Sequence, residues 1–232
     1  MSAARTGILL AGGRSSRMGT PKALVDLDGS PLATHVARPL AAVCDEIVLS
    51  VSCEAEAPQS LVEEIVSAVR NAGAARPSIV RDHEPHLGPV AGLAAALSAA
   101  SGGVAFATGC DSPLLSDRLV RGLFDLAESD ATLDVVLPRR KGRLEPLLAV
   151  YRVARMAPHF RARLEAGGGR PTDGWNERHV LFVEGERLRQ IDPAADSFRN
   201  VNTPAELDRM REELRRRADR RARSRPESNE GA

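Results

Sequence analysis

The sequence is poor in aromatic residues: five Phe, one Tyr and one Trp make up 3% of its 232 residues. So few rings argue against a surface that stacks the bases of single-stranded nucleic acid. The chain also has almost no net charge, because 32 Lys and Arg face 31 Asp and Glu, which leaves +1. A charge this small gives no field that would steer the protein onto DNA or an anionic membrane. We therefore expect neither nucleic acid nor a membrane among its partners.

Cysteine and long apolar runs are scarce as well. Cys44, Cys53 and Cys110 are odd in number and widely spaced, which fits neither a disulfide framework nor a CxxC metal site. The apolar run near residue 10 ends at Gly12-Gly13 without the features of a signal peptide, and no stretch is long enough to span a bilayer. Unpaired cysteines favour a reducing compartment, so the sequence predicts a cytoplasmic protein.

Short apolar runs alternate with segments of helical periodicity over the first 138 residues. This pattern predicts five strands, over residues 6–11, 46–51, 78–81, 104–108 and 134–138. It predicts four helices between them, over residues 31–43, 59–71, 90–100 and 116–129, the last capped by Ser116. Strands joined through helices pair in parallel, so we expect an α/β fold with a doubly wound, mostly parallel sheet and helices on both faces. Ligands of such sheets bind beyond the carboxyl ends of the strands.

From residue 139 the pattern changes. A turn over 139–143 leads into 144–152, which we expect to be an extended strand of a hairpin. A helix over 156–166 and a strand over 180–183 follow. A final helix begins with the signature of a capping box, in which Thr203 is the cap, Pro204 the first residue and Glu206 the third.

The strongest motif is LAGGRSSRMGTPK, residues 10–22, which follows the first predicted strand. Gly12 and Gly13 allow the backbone to come close to a ligand and to point successive N–H groups at it. Two arginines and Lys22 add fixed cations, which suit a triphosphate. The motif is neither GxxxxGK[ST] nor GxGxxG. A glycine turn with solvated basic residues is the alternative interpretation, which the length of the motif disfavours.

Asp111 follows the fourth predicted strand in the segment GCDSP. A carboxylate at this place is a hard oxygen ligand for Mg²⁺ that leaves positions open for phosphates and water. The alternative is an Asx turn or a helix cap, since Ser112 and Pro113 follow. Together with the glycine loop, we interpret Asp111 as a metal ligand. Mg²⁺, Lys22 and Arg17 would then stabilise charge on the α-phosphate and on the leaving pyrophosphate.

The segment 10–22 resembles the LAGGxSxRMGxxK signature of the pyrophosphorylase-like nucleotidyltransferases. Three later segments resemble, in order, the motifs of molybdenum cofactor guanylyltransferases: Asp82 with GPVAGL at 88–93, GCDSP at 109–113 and NVNTP at 200–204. The resemblance covers residues 6–210 and implies a Rossmann-like nucleotidyltransferase fold. It also implies that the enzyme binds GTP with Mg²⁺ and joins GMP to the terminal phosphate of molybdopterin, releasing pyrophosphate.

The same resemblance implies roles for residues at matching positions. Lys22 would contact phosphate, Asp82 the nucleoside and Asp111 the metal. Asn200 and Asn202 would lie near the acceptor or the metal, although an Asx-type approach to the capped helix is the alternative, chiefly for Asn202. Backbone groups of four residues would hold the nucleotide: Leu10, Ala11, Gly12 and Gly13.

Two features depart from the family's pattern. The end of the second strand carries Ser50 and Ser52 where asparagine is common, so a base or ribose contact there is weakened or replaced. Glu145 lies where a neutral or basic polar group is common. A carboxylate beside an anionic pterin phosphate requires compensation by Arg143 or by a metal.

Asp82 is followed by titratable residues that could suggest a metal cluster: His83, Glu84 and His86. Their spacing is not HExxH, and the segment is predicted to be a loop, so we interpret the histidines as polar loop residues. The arginine-rich run over 207–223 is either an RNA- or partner-binding arm or, as we favour, a solvated helix face with interspersed acidic partners.

The sequence thus predicts one domain over residues 1–210, with a nucleotide-binding part over 1–138 and an acceptor-binding part over 139–210. A basic helical extension and a disordered tail would follow over 211–232. The alternatives are a molybdopterin cytidylyltransferase, a sugar-phosphate nucleotidyltransferase, and a non-catalytic nucleotide-sensing module. The GPxAG and CDxP motifs argue against other bases and acceptors, and the presence of Lys22 and Asp111 argues against a sensor. Besides GTP and molybdopterin, transient contact with other cofactor-biosynthesis proteins or molybdoenzymes stays open.

Overall fold

The structure, a computed structural model, describes residues 4–12, 19–53, 57–82 and 87–223. The strands within these residues are β1 (Arg5–Leu10), β2 (Asp26–Leu27), β3 (Ser30–Pro31), β4 (Glu46–Val51), β5 (Ser78–Arg81), β6 (Val104–Gly109), β7 (Val135–Arg140), β8 (Arg143–Leu144), β9 (Leu148–Arg152) and β10 (Val180–Val183). The helices are α1 (Leu32–Ala41), α2 (Gln59–Arg70), α3 (Pro89–Ala99), α4 (Asp117–Ser129), α5 (Val153–Glu165), α6 (Gly185–Ile191) and α7 (Pro204–Arg223).

The main sheet has the strand order β10-β7-β9-β6-β1-β4-β5, and β8 pairs with β7. β1 pairs in parallel with β4 on one side and β6 on the other, so Leu10 lies opposite both Ser50 and Gly109. The pairs β4–β5 and β7–β10 are also parallel. β9 runs antiparallel between β6 and β7, and the short β8 pairs antiparallel with β7. The prediction of a doubly wound, mostly parallel sheet is therefore confirmed.

Helices cover both faces of this sheet. α1, α2 and α4 pack on one face, and α3 and α5 pack on the other. Neighbouring residues of the central strands point into opposite cores: Leu9 and Phe106 into the first, Ile8 and Ala107 into the second. α3 is apolar around most of its circumference because it lies between the sheet and α5.

Several predicted boundaries agree with the structure, and one does not. Ser116 caps α4, since its hydroxyl accepts a hydrogen bond from the Arg118 N–H at 3.1 Å. The prediction of one continuous strand over 144–152 is wrong in part, because a turn separates β8 from β9. Pro146 has no N–H to contribute to a ladder, and the Leu148 N–H closes the turn by donating to the Glu145 carbonyl at 3.0 Å.

The last helix, α7, begins with the predicted capping box. The Glu206 N–H donates to Thr203 Oγ1 at 3.2 Å, and the Glu206 carboxylate accepts from the Thr203 N–H at 3.0 Å. Among the described residues, no helix has the length and apolar character needed to cross a membrane. On the solvent-exposed side of α7, arginines pair with acidic residues one turn away, as Arg216 does with Glu212. This pairing agrees with a solvated helix face.

A third, smaller core lies under α7. It joins side chains of the β2–β3 hairpin and its surroundings to the first turns of α7: Val25, Leu27, Leu32, Val201, Leu207 and Met210. The guanidinium of Arg211 also donates to the Asp26 carbonyl at 2.7 Å. The C-terminal helix is thereby anchored on the segment that follows the glycine loop.

The buried position of α3 predicts that truncating one of its side chains costs more stability than truncating an exposed side chain of the sheet. Leu93 is fully buried, so Leu93→Ala should lower the free energy of unfolding by about 2–5 kcal/mol through lost burial and a residual cavity. Ile79 on β5 is 39% exposed, so Ile79→Ala should cost less than about 1 kcal/mol. Urea unfolding followed by circular dichroism measures both values. Equal losses would contradict the central place of α3 in the core.

Candidate active site

The carboxyl ends of β1, β4 and β6 border a cavity of about 360 Å³. Doubly wound sheets bind their ligands at this edge. Six of the predicted site residues line the cavity: Leu10, Ala11, Gly12, Lys22, Asp82 and Asp111. Gly13 and Arg17 lie outside the described residues. Asn200 and Asn202 do not belong to the lining, although both are bonded to groups at its border, as described below.

The glycine loop, which is the first loop of the chain, is held tightly where it leaves β1. The Ala11 N–H donates to the Ser50 carbonyl at 2.8 Å, which continues the parallel pairing one residue beyond the strand. The Ser52 hydroxyl donates to the Gly12 carbonyl at 2.5 Å. A Cβ atom on Gly12 would lie 2.9 Å from Ser52 Oγ, 3.1 Å from Ser52 N and 3.3 Å from Asp82 Oδ2. Gly12 is therefore the residue that lets Ser52 and Asp82 approach the backbone.

Asp82 is buried directly after β5, with 8% of its surface exposed. Its N–H donates to the Val51 carbonyl at 2.9 Å, so the end of β4 fixes its backbone. Arg81 supports the same region by donating to the carbonyls of Ser52 and Ala57 at 3.2 and 2.8 Å. The sequence motifs do not predict that Ser52 bonds Gly12; they show only that serine replaces the asparagine that is common there. The parallel register of β1 and β4 is the signal that would have found it.

Lys22 and Asp111, predicted from separate motifs, lie together. Lys22 begins a short 3-10 turn over Lys22–Leu24, and its Nζ lies 3.6 Å from Asp111 Oδ2. Gly109 makes room for the carboxylate, because a Cβ there would lie 2.8 Å from Asp111 Oδ1. About a quarter of each of the two side chains is exposed, 22% for Lys22 and 27% for Asp111, so both can reach a ligand in the cavity.

The segment of Asn200 and Asn202 connects the loops that carry Lys22 and Asp111. Lys22 Nζ donates to Asn202 Oδ1 at 2.6 Å. The Val201 N–H donates to the Asp111 carbonyl at 2.8 Å, and the Ser112 hydroxyl donates to Asn200 Oδ1 at 3.0 Å. Asn202 also contacts the cap of α7, because its backbone N–H donates to Glu206 Oε2 at 2.8 Å.

The N-terminus of α3 forms another part of the lining, through Gly88, Pro89 and Gly92. Gly88 has φ 63° and ψ −148°, a region that only glycine adopts readily. Pro89 follows at the first helical position, where its missing N–H costs no hydrogen bond. The positive end of this helix therefore borders the cavity, where it favours negative charge on a ligand.

Glu145 lies in the turn before β9, two residues from Leu147 of the cavity lining. Burial raises the pKa of its carboxyl group, and Arg143 and Arg140 oppose that rise, whereas Asp111 adds to it. The compensating positive charge that the sequence required near Glu145 is thus present in the β7–β8 hairpin.

The donor set of the site fits Mg²⁺. Across the described part of the chain, no three His, Cys, Asp or Glu side chains converge as a metal cage. Mg²⁺ does not need one, since it is usually held by one or two carboxylates together with substrate phosphates and water. Asp111 supplies such a carboxylate beside Lys22. His83, Glu84 and His86 lie outside the described residues.

Comparison with known proteins identifies the family. The sequence profile described as "MobA-like NTP transferase domain" matches residues 7–179. The chain belongs to this family. The nucleotidyltransferase fold and the nucleotidyltransferase activity that the motifs implied are therefore confirmed.

Relatives of the MobA-like chain carry consistent names. A probable molybdenum cofactor guanylyltransferase of Natronomonas pharaonis is 34% identical over 211 residues, which cover 90% of this chain and 98% of that protein. A molybdenum cofactor guanylyltransferase of Burkholderia cenocepacia is 36% identical, with coverage of 87% and 92%. The crystal structure of molybdopterin-guanine dinucleotide biosynthesis protein A from Archaeoglobus fulgidus superposes with a TM-score of 0.71 at 26% identity, with coverage of 91% and 99%.

Two of the four described glycines that line the cavity, Gly12 and Gly92, predict different costs for an added methyl group. Gly12→Ala should destabilise the protein by about 1–3 kcal/mol, because the new Cβ meets the Ser52 backbone. Gly92→Ala should cost less, because its Cβ would meet only side-chain atoms, Leu10 Cδ2 at 3.1 Å and Ser50 Oγ at 3.2 Å. Alanine also favours the helix by about 1 kcal/mol. Urea unfolding of both variants tests the order, and a larger loss at Gly92 would refute it.

Proposed function

We propose that this chain transfers GMP from GTP to the terminal phosphate of molybdopterin and releases pyrophosphate. The observation that carries this proposal is the placement of Lys22 and Asp111, 3.6 Å apart, at a cavity bordered by the tightly held Gly12. Relatives named molybdenum cofactor guanylyltransferase at 34% and 36% identity support the choice of base and acceptor. The three cysteines are free, which supports a cytoplasmic location.

The nucleotide would bind along the first loop. Leu10, Ala11 and Gly12 line the cavity, and their backbone groups, with those of Gly13, would hold the nucleotide. Asp82 would recognise the nucleoside, because an ionised carboxylate accepts hydrogen bonds from the hydroxyl and N–H groups that a nucleoside presents. The positive end of α3 would favour negative charge of the ligand on the same side.

Transfer would occur at the α-phosphate of GTP. A terminal phosphate oxygen of the acceptor forms a bond to the α-phosphorus, and the bond from that phosphorus to the oxygen of the leaving pyrophosphate breaks. The acceptor is already an anionic nucleophile, so no Ser-His-Asp arrangement is required. Mg²⁺ held by Asp111 would neutralise the triphosphate and orient it. Lys22, with Arg17 from the first loop, would stabilise the charge that develops on the leaving group.

The acceptor would approach from the part of the chain after residue 139. Leu147 lines the cavity on that side, and Glu145 lies beside it with Arg140 and Arg143 in electrostatic range. These arginines would offset the repulsion between Glu145 and an anionic pterin phosphate. Asn200 and Asn202 would complete this side by fixing the Asp111 and Lys22 loops.

Nucleotide choice can be tested by thermal unfolding. With Mg²⁺ present, GTP should raise the melting temperature more than CTP, UTP or ATP at the same concentration, because a ligand that binds only the folded state stabilises it more, the lower its Kd. At a GTP concentration one hundred times its Kd, the stabilisation should be about 2.7 kcal/mol. Stabilisation by CTP and not by GTP would replace the guanylyl assignment with a cytidylyl one.

The chemical roles can be tested by substitution. Lys22→Ala and Asp111→Ala should each lower kcat for pyrophosphate release from GTP and molybdopterin by about 10²–10³-fold, because each removes charge stabilisation from the transition state. Glu186→Ala is the matched control, since Glu186 is exposed on α6, outside the cavity lining, and its carboxylate pairs with Arg189 on the same helix. Wild-type rates in either site variant would show that the assigned chemistry is wrong.

A further inference from the structure

The ammonium group of Lys22 is held by an element far away in sequence. Its Nζ donates to Asn202 Oδ1 at 2.6 Å, across a separation of 180 residues. A neutral amide oxygen accepts one N–H and leaves the positive charge of Lys22 intact. The same Nζ lies 3.6 Å from Asp111 Oδ2. Asn202 therefore orients the cation without neutralising it, whereas a carboxylate in its place would neutralise it.

Asn202 is in turn fixed by Glu206. One carboxylate oxygen of Glu206, Oε2, accepts from the Asn202 N–H at 2.8 Å and from the Thr203 N–H at 3.0 Å. These bonds lower the pKa of the Glu206 carboxyl group, which therefore stays ionised at neutral pH. A standard capping box needs only the bond to the cap residue, Thr203. The additional bond to Asn202 extends the box to the residue that holds Lys22.

The same helix also holds the chain just after Lys22. Leu207 and Met210 pack on Val25 and Leu27, and Arg211 bonds to the Asp26 carbonyl. The Lys22 segment is thus held at its beginning by Asn202, two residues before α7 begins, and at its end by apolar contacts from the first two turns of α7. A shift of this helix end would move Lys22 relative to Asp111.

We propose that Glu206 is a positioning residue, which sets Lys22 on the triphosphate through Asn202. This inference rests on the proposed function only in so far as Lys22 contacts a nucleotide phosphate. It concerns no group that touches the substrate directly, and it assigns to the cap of α7 a role beyond stabilising the helix. The chain offers a matched control in Thr203, whose hydroxyl caps the same helix but does not bond Asn202.

The test is a double-mutant cycle on nucleotide affinity, measured by calorimetry with Mg²⁺ and the nucleoside triphosphate that raises the melting temperature most. Glu206→Ala should raise Kd about tenfold, and Thr203→Ala less than about twofold, at similar melting temperatures. Glu206→Gln should restore most of the affinity, because its amide oxygen can accept from the same N–H. In a Lys22→Ala background, Glu206→Ala should change Kd by less than about twofold, because its effect acts through Lys22.

The outcomes separate the two proposals. Equal losses in Glu206→Ala and Thr203→Ala, or additive losses with Lys22→Ala, would overturn the positioning role and leave a helix cap only. Binding of the nucleotide by the wild-type chain without guanylyl transfer to molybdopterin would refute the proposed function. The double-mutant cycle could still be interpreted in that case, because it measures nucleotide binding alone.

Discussion

The parallel pairing of β1 with β4 and β6 brings the loops after these three strands together at the candidate site. Because Leu10 lies opposite both Ser50 and Gly109, the three strands end at the same level of the sheet. The close approach of Gly12 to Ser52 and Asp82 follows from that register. A slip of β1 by one residue would exchange Ile8 and Leu9 between the two cores and would carry the first loop away from Asp82. The register of β1 therefore determines both the packing of the core and the geometry of the site.

Much of this fold could be predicted because its signals are local. Strand and helix periodicity, the Ser116 cap and the Thr203–Glu206 box each depend on residues within a few positions of one another, and the structure contains all of them. The position of β9 between β6 and β7 could not be predicted, since periodicity identifies a strand without naming its partners. α6, with seven residues and no side-chain cap, is too short for periodicity to be visible.

The candidate site shows the same division between local features, which the sequence predicts, and long-range contacts, which it does not. Glycine, lysine and aspartate at the ends of strands predicted which residues line the cavity, because all parallel strands share one carboxyl edge. The bond between Ser52 and Gly12 depends on strand register, and the bond between Lys22 and Asn202 depends on how α7 packs. Neither can be read from a motif. The functional roles of all the predicted site residues stay predictions, both for those that line the cavity and for Gly13, Arg17, Asn200 and Asn202.

The separation of Lys22 from Asn202 also bears on when the site is completed during synthesis. A ribosome adds Lys22 about 180 residues before Asn202, so the parallel sheet can assemble while the lysine still lacks its amide partner. Closing so long a loop is entropically slow and follows the local contacts. A nascent chain would therefore have a nearly complete nucleotide cavity before it had a positioned cation. Transfer activity would be the last property the protein acquires as it folds.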